Sequence, residues 1–211
     1  AIVLDGAIGT VGGVLTGLDI NKTDGETGSI EITNIGSGST AGVGGTVEIG
    51  NNATSSLTLD GTLYLTNGAT TYEADGTGND IRITGASPTI DSSGNALTFD
   101  NANILLNNSA DGTTTLSTGT GGGNLLIDGT INGTASQSEA LVINGGTGSV
   151  QVQGAIGATQ PFTTITINSS GAGTVEVTNI GGGSAGASGA TAIGNTATTT
   201  LTLDGTVYNT G

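Results

Sequence analysis

Short runs in which aliphatic and polar residues alternate recur along the whole chain. Ile30-Glu31-Ile32 is typical, because its two aliphatic side chains point to one face of a strand and the acidic side chain points to the other. Further alternating triplets begin at Val47, Leu57, Leu63, Ile81, Leu97, Val150, Ile165, Val175 and Leu201. No segment keeps the i, i+3, i+4, i+7 spacing of an amphipathic helix over several turns. The pattern therefore predicts an all-β protein with many short strands and essentially no helix.

A long segment of the sequence occurs twice. Residues 30–64, IEITNIGSGSTAGVGGTVEIGNNATSSLTLDGTLY, return as residues 175–208, VEVTNIGGGSAGASGATAIGNTATTTLTLDGTVY. The echo extends beyond these limits, so that residues 6–68 correspond to residues 154–211. The offset between the copies drifts by a few residues, as it does in repeat arrays that accept small insertions in their loops. We therefore expect residues 1–211 to form a single segment of a repetitive structure.

A second, shorter period favours stacked coils over hairpins. Asp-Gly and Asn-Gly pairs between strands ordinarily indicate tight turns in which the glycine has a positive φ. Such pairs place glycines at Gly61, Gly112, Gly129, Gly133 and Gly145. However, the second aliphatic residues of successive triplets run from Ile32 to Leu203, 171 residues in seven steps, or about 24 residues per step. That length is one turn of a three-sided parallel β-solenoid, and it predicts about eight to nine coils.

The composition leaves one alternative to a folded solenoid. Glycine supplies 41 residues and proline only 2, which excludes collagen and proline-rich linkers. The abundance of Gly, Ser, Thr and Asn keeps intrinsic disorder open. Against it, 34% of the residues are hydrophobic, and the aliphatic ones lie in alternating pairs instead of being spread evenly.

The charge is strongly acidic, with 17 Asp and Glu against 2 Lys and Arg. Such a chain repels phosphate and anionic lipid, so we expect no binding to nucleic acid. No run approaches the roughly 18 apolar residues of a membrane helix, so we expect no membrane insertion. The remaining partners are copies of the chain itself, divalent cations or neutral glycans.

Catalysis has little support in the sequence. The chain has no Cys and no His, which removes the thiolate nucleophile, the disulfide and the commonest general base. Paired carboxylates could in principle hydrolyse glycosidic bonds. Sugar-binding clefts usually also need cationic or aromatic groups, and this chain has one Arg, one Lys and three Tyr. We expect that the protein is not an enzyme.

The stretch from Gly121 to Ile167, GGGNLLIDGTINGTASQSEALVINGGTGSVQVQGAIGATQPFTTITI, resembles the repeats of filamentous-haemagglutinin-like and autotransporter-passenger-like proteins. Both have a Gly-Thr-Ile-Asn-Gly-type turn, an aliphatic strand, a Gly-Thr-Gly turn, and then Gly-Ala-Ile-Gly before a Thr-rich strand. The resemblance implies a right-handed parallel β-helix on the surface of a bacterium or secreted from it. A second likeness joins residues 189–195 to the head repeats of trimeric autotransporter adhesins, which would imply three chains that share a core.

Acidic residues provide the only candidate metal site. Glu73, Asp75, Asn79 and Asp80 lie close together in sequence and carry oxygen ligands of the kind that Ca²⁺ prefers. A solvated turn explains the same residues, because the cluster is one copy and not the nonapeptide array of calcium β-rolls. Calcium is therefore the one candidate cofactor, and otherwise none is expected.

Two kinds of residue that recur along the chain are predicted to lie on the outer face of the strands. Glu31 and its equivalent Glu176 could stack, face a neighbouring chain or simply be solvated. Thr-rich strands near Thr115, Thr166 and Thr200 resemble the ladders of ice-binding solenoids only loosely, and β-propensity explains them.

Two functional interpretations follow from these patterns. The first is a structural extracellular protein, a β-solenoid segment of a bacterial fibre, sheath or surface layer that associates with itself end to end or laterally. It rests on two observations. The chain ends at the same stage of the long repeat that it occupies near its start, and a solenoid leaves unpaired strand edges at its ends. The second is a spacer segment of a large surface adhesin that binds a host or glycan through other regions.

Overall fold

The computed structural model describes residues 1–23, 25, 27–74, 80–108, 112–134, 139–168 and 173–211, and for residue 80 it describes the backbone alone. These residues form strands and no helix, as the alternating triplets predict. None of them therefore belongs to a helix that could cross a membrane. The strands are β1 (Ile2–Ile8), β2 (Leu18–Ile20), β3 (Gly28–Ile35), β4 (Val47–Ile49), β5 (Thr54–Leu59), β6 (Leu63–Leu65), β7 (Thr70–Glu73), β8 (Asp80–Ile83), β9 (Thr89–Asp91), β10 (Leu97–Asp100), β11 (Asn103–Leu106), β12 (Thr113–Ser117), β13 (Leu125–Ile127), β14 (Ile131–Asn132), β15 (Ala140–Asn144), β16 (Val150–Ile156), β17 (Thr164–Asn168), β18 (Thr174–Ile180), β19 (Thr191–Ile193) and β20 (Thr200–Leu203).

The pairings between these strands are all parallel, and all but two of them follow three series; β3 also pairs with β6, and β14 also pairs with β16. The β1 series runs through β3, β5, β8, β11 and β14. The β2 series runs through β4, β7, β10, β13, β16, β18 and β20. The β6 series runs through β9, β12, β15, β17 and β19. Because each strand pairs with a strand one coil away, the chain is a parallel β-solenoid and not a set of hairpins.

The coil is slightly longer than the sequence predicts. Along the β2 series, the register from Ile20 to Leu203 spans 183 residues in seven intervals, about 26 residues per coil, and the solenoid has about 7 turns. The prediction of about 24 residues and eight to nine coils is therefore wrong. The second aliphatic residues on which the prediction rests run from Ile83 through Phe99 or Leu106 to Ile127. They change there from the β1 series to the β2 series, so one of the seven steps is shorter than a coil. The three-sided cross-section and the right hand of the helix stay predictions.

The core is a narrow column of aliphatic side chains inside the coils. Strand residues alternate between buried and partly exposed, as in β4, β10 and β13. Each inward residue is covered by its register partners above and below, so that Ile81 lies between Leu57 and Ile104. The column also holds two aromatic rings, since Tyr72 and Phe99 stack with ring centroids 5.4 Å apart.

The two copies of the long repeat lie in different series. Ile30 to Ile32 belong to the β1 series, whereas their equivalents Val175 to Val177 belong to the β2 series. The 145 residues that separate Ile30 from Val175 are not a whole number of coils of about 26 residues. The same sequence motif therefore builds the same local structure at different positions around the solenoid.

The glycines of the Asp-Gly and Asn-Gly pairs have a different role from the predicted one. Gly61, Gly129, Gly133 and Gly145 do not have positive φ angles, so that part of the prediction is wrong. A tight turn does begin at Gly145, where the Gly148 amide donates to the Gly145 carbonyl oxygen at 2.9 Å and Gly146 has the positive φ. At Gly61, a Cβ would lie 1.3 Å from the carbonyl oxygen of Thr33 in the previous coil. Glycine is needed at such a position because the backbones of two coils approach each other too closely for a side chain.

Candidate interaction sites

Most of the predicted calcium cluster lies outside the described residues. Asp75 and Asn79 are not described, and only the backbone of Asp80 is. Glu73 ends β7 and is the register partner of Asp100 in β10, so two carboxylates lie next to each other on this outer face. A calcium site formed by Glu73, Asp75, Asn79 and Asp80 stays a prediction.

An ion pair crosses the outer face of the β2 series at its first two strands. Asp19 and Glu48 are register partners, and the Lys22 ammonium lies against the Glu48 carboxylate. The hydrogen bond and charge of Glu48 raise the pKa of Lys22. Shallow depressions flank the pair and reach Thr71 and Glu73. Because Lys22 is exposed to solvent, the ion pair contributes little to stability and does not form an enclosed binding site.

The equivalent glutamates Glu31 and Glu176 do not stack on each other. Glu31 lies between Val3 and Thr58 in the β1 series. Glu176 lies in the β2 series, where its Oε1 accepts a hydrogen bond of 3.0 Å from Gln151 Nε2. Both side chains are partly exposed, which agrees with a solvated outer face.

The threonine-rich strands do not form a continuous ladder. Thr115 has Thr89 on one side in register and Val142 on the other, and Thr166 is followed by Ala192. The regular Thr surface of an ice-binding solenoid is therefore interrupted within two coils.

A repeated tyrosine holds the turn in each copy of the long repeat. The Tyr64 hydroxyl donates to the Ile32 carbonyl oxygen at 2.7 Å and accepts from the Gly61 amide at 2.8 Å. In the second copy, the Tyr208 hydroxyl donates to Val177 at 2.8 Å and accepts from Gly205 at 2.8 Å. Burial raises the pKa of Tyr64. This role is structural, because the hydroxyl connects the backbones of two successive coils.

Two asparagines repeat in the same way. Asn34 Oδ1 accepts the amides of Thr62 and Leu63 at 3.1 and 3.0 Å. Its equivalent, Asn179, accepts the amides of Thr206 and Val207, both at 3.0 Å. The residues that the two copies share are therefore those that satisfy backbone groups at the corners of the solenoid.

A buried carboxylate lies at the start of β15, and the sequence analysis missed it. Glu139 is fully buried, its Oε1 accepts from the Thr134 hydroxyl at 3.2 Å, and its Oε2 has no hydrogen-bond partner. The sequence does contain a signal, because Glu139 is in phase with Leu141 and Ile143, the inward positions of β15. An acidic residue in phase with a core column is unusual and indicates a special environment.

The two ends of the solenoid expose apolar side chains. Among the described residues, every large hydrophobic side chain that is substantially exposed lies in the first coil or the last, with exposed fractions from 39% to 76%. They are Ile2, Val3, Val11, Val14, Leu15, Leu201 and Leu203. Three of them, Ile2, Leu201 and Leu203, are inward residues that have a register partner on one side only within residues 1–211.

Comparison with known proteins does not place the chain in a family. No family model matches the chain, and neither the search of curated proteins nor that of solved structures finds a match. The structure supports repeated coils of the β-helix type. The resemblance to filamentous-haemagglutinin-like and autotransporter-passenger-like repeats stays a prediction from the sequence.

Proposed function

We propose that the protein is a structural, non-catalytic β-solenoid segment of a bacterial fibre, sheath or surface layer, and that copies associate through their end coils. The single observation that carries the proposal is the confinement of exposed large apolar side chains to the first and last described coils. A coil of a second copy that stacks on either end would bury the inward residues among them, Ile2, Leu201 and Leu203, and pair the open strand edges.

The long repeat indicates which side chains can pack on the open edge of β20. β20 is the equivalent of β5, since Leu201 and Leu203 correspond to Leu57 and Leu59. Within the molecule, β5 is covered by β8 through the register Leu57↔Ile81 and Leu59↔Ile83. β1 has the same aliphatic alternation as β8, in Ile2 and Leu4. The β1 edge of a second copy therefore has the side chains that the β20 edge requires.

Two further features support an extracellular location. The chain has no cysteine and resembles the repeats of secreted bacterial proteins over residues 121–167. The net charge of −15 keeps the lateral faces soluble, so association is directed to the apolar ends.

Sedimentation velocity at neutral pH tests the proposal with a matched pair of variants. Leu203→Lys places a charge on the inward column at the open end, where it is solvated in a single molecule and buried in a stack. Thr202→Lys places the same charge on the outward side of the same strand, where it stays solvated in both. We expect the wild-type chain and Thr202→Lys to form larger species as concentration rises and Leu203→Lys to remain monomeric, because burying an unpaired charge is costly.

Two results would reject end-to-end association. If the wild-type chain is monomeric at every concentration, the spacer of an adhesin becomes the better interpretation. If Leu203→Lys associates as strongly as Thr202→Lys, the contact lies on a lateral face. Circular dichroism of both variants establishes that they retain the β-structure of the wild-type chain.

A further inference from the structure

We infer that Glu139 is the central ligand of a calcium site at the corner between β14 and β15. This site is separate from the predicted cluster around Asp75. The inference starts from the fully buried Glu139 side chain, whose Oε2 has no hydrogen-bond partner, because a buried polar group without a donor or a cation is costly. The chain has only two cationic side chains, and Lys22 is paired with Glu48. The other, Arg82, is exposed on the outer face of β8. No ion pair involves Glu139 among the described residues.

The groups around the carboxylate are oxygen atoms with few protons to donate. The Thr134 hydroxyl is 3.2 Å from Glu139 Oε1 and 3.3 Å from Asn107 Oδ1, and its single proton can serve only one of them. Glu139 Oε2 has no donor. The Thr134 hydroxyl is therefore the one described donor to Glu139 Oε1 and to Asn107 Oδ1, and Glu139 Oε2 receives none, so these oxygens form a group that a hard cation would satisfy.

The spacing of these oxygens suits calcium. Ligands at right angles around a Ca²⁺ ion, with the usual Ca–O distances, are about 3.4 Å apart. The observed oxygen separations of 3.2 and 3.3 Å are close to that value. The carboxylate, hydroxyl and amide oxygens are hard ligands that calcium accepts, and water completes its coordination. Asn107 and Thr134 are only partly buried, so their side-chain oxygens are accessible to solvent.

The backbone holds the carboxylate in place and leaves space beside it. The Glu139 carbonyl oxygen accepts from the Thr163 amide at 2.8 Å and from the Thr163 hydroxyl at 2.9 Å. On the side of Oε2, a Cβ on Gly133 would lie 2.9 Å from that oxygen and 3.6 Å from the Pro161 carbonyl oxygen. Glycine at position 133 therefore keeps the region next to the free carboxylate oxygen open.

With one carboxylate, the site should bind weakly, with a Kd between about 0.1 and 1 mM, as in extracellular calcium modules. The first test compares the thermal midpoint in chelator with that in about 10 mM calcium, a concentration at least ten times Kd. We expect a rise of about 3 to 6 °C for the wild-type chain. Magnesium should give a smaller rise because it demands a stricter octahedral geometry.

Three variants make the test specific. Glu139→Gln removes the charge at the site and should lose most of the calcium response, while its midpoint in chelator equals or exceeds that of the wild-type chain. Glu31→Gln removes one charge from the outer face and should respond to calcium as the wild-type chain does. Gly133→Ala keeps the carboxylate but fills the adjacent space, so it should also lose the response.

The inference is overturned if the wild-type midpoint does not change with calcium, or if Glu139→Gln responds as Glu31→Gln does. Calorimetric titration of the same variants with calcium chloride gives a second readout that does not depend on unfolding. There, loss of one binding equivalent in Glu139→Gln and not in Glu31→Gln is the expected result, and equal binding by both variants would overturn the inference.

Discussion

At the scale of the residue, two buried tyrosines differ in what their hydroxyl groups contact. Tyr64 and Tyr72 are both fully buried. The Tyr64 hydroxyl connects Ile32 and Gly61, whereas the Tyr72 hydroxyl has no partner and its ring contributes by stacking on Phe99. The recurrence of Tyr64 as Tyr208 in the second copy of the long repeat is a sequence signal for a structural role. The sequence carries no such signal for Tyr72, because the stacking partner is set by the register between coils.

Removing each hydroxyl should therefore have opposite consequences. We expect Tyr64→Phe to lower the free energy of unfolding by about 1–3 kcal/mol, because it leaves the buried Gly61 amide unpaired and removes one of the two donors to the Ile32 carbonyl oxygen, which keeps the Asp60 amide at 3.3 Å. Tyr72→Phe should be neutral or slightly stabilising, because it removes a buried polar group that makes no hydrogen bond. Urea denaturation of the two variants checks this, and equal destabilisation by both would contradict the account.

The same burial predicts a loss of stability in alkaline solution. Burial raises the pKa values of Tyr64 and Tyr72 above the ordinary value of about 10. Below that pH both states are protonated and stability is unaffected. Above it the unfolded state loses protons that the folded state keeps, so the free energy of unfolding falls by about 1.4 kcal/mol per pH unit for each tyrosine.

Denaturation curves at several alkaline pH values measure that slope. The double variant Tyr64→Phe, Tyr72→Phe is the control. Its free energy of unfolding should fall less steeply with pH, and the difference in slope should equal the contribution of these two tyrosines. A decline that is identical in the wild-type chain and the double variant would mean that the loss has another origin.

At the scale of the element, the corner glycines decide how closely coils can stack. Gly154 and Gly6 occupy equivalent positions in the repeat, in β16 and β1. A Cβ at Gly154 would lie 2.2 Å from the Gly129 carbonyl oxygen, whereas a Cβ at Gly6 would meet nothing within 4 Å. The difference arises only because β16 has a coil beneath it and β1 does not.

These two glycines form a matched pair for mutation. We expect Gly154→Ala to destabilise the fold by about 1–3 kcal/mol, since the backbones of two coils must move apart. Gly6→Ala should change the free energy of unfolding of the single molecule by less than about 0.5 kcal/mol. Urea denaturation at a low protein concentration compares them, and a large loss in Gly6→Ala would contradict the stacking described here.

The strands were largely predictable and their arrangement was less so. Alternation identifies strands such as β4, β5 and β13, because a half-buried strand needs side chains of opposite character on its two faces. The coil length was underestimated because alternating triplets look alike in all three series, so a step from one series to the next cannot be recognised. The sequence predicts turns at Gly61 and Gly129 because the close backbone contact that requires glycine there involves a residue one coil away. For Glu139 the sequence shows the inward phase but not the whole environment, since Thr134 is five residues away whereas Asn107 lies one coil away.

At the scale of the whole molecule, the solenoid separates two kinds of surface. The lateral faces carry most of a net charge of −15 and only one ion pair among the described residues, which keeps molecules apart sideways. The end coils expose Ile2, Val3, Leu201 and Leu203 together with open strand edges. Association along the axis is thus favoured by apolar burial and strand pairing, while salt should promote it further by screening the overall repulsion.

Cryo-electron microscopy of the assembled wild-type chain tests the central claim most directly. The account predicts filaments in which the strand spacing of about 4.8 Å continues without interruption from the β20 edge of one molecule to the β1 edge of the next. Discrete rods, or filaments in which solenoids lie side by side with their ends uncovered, would contradict it.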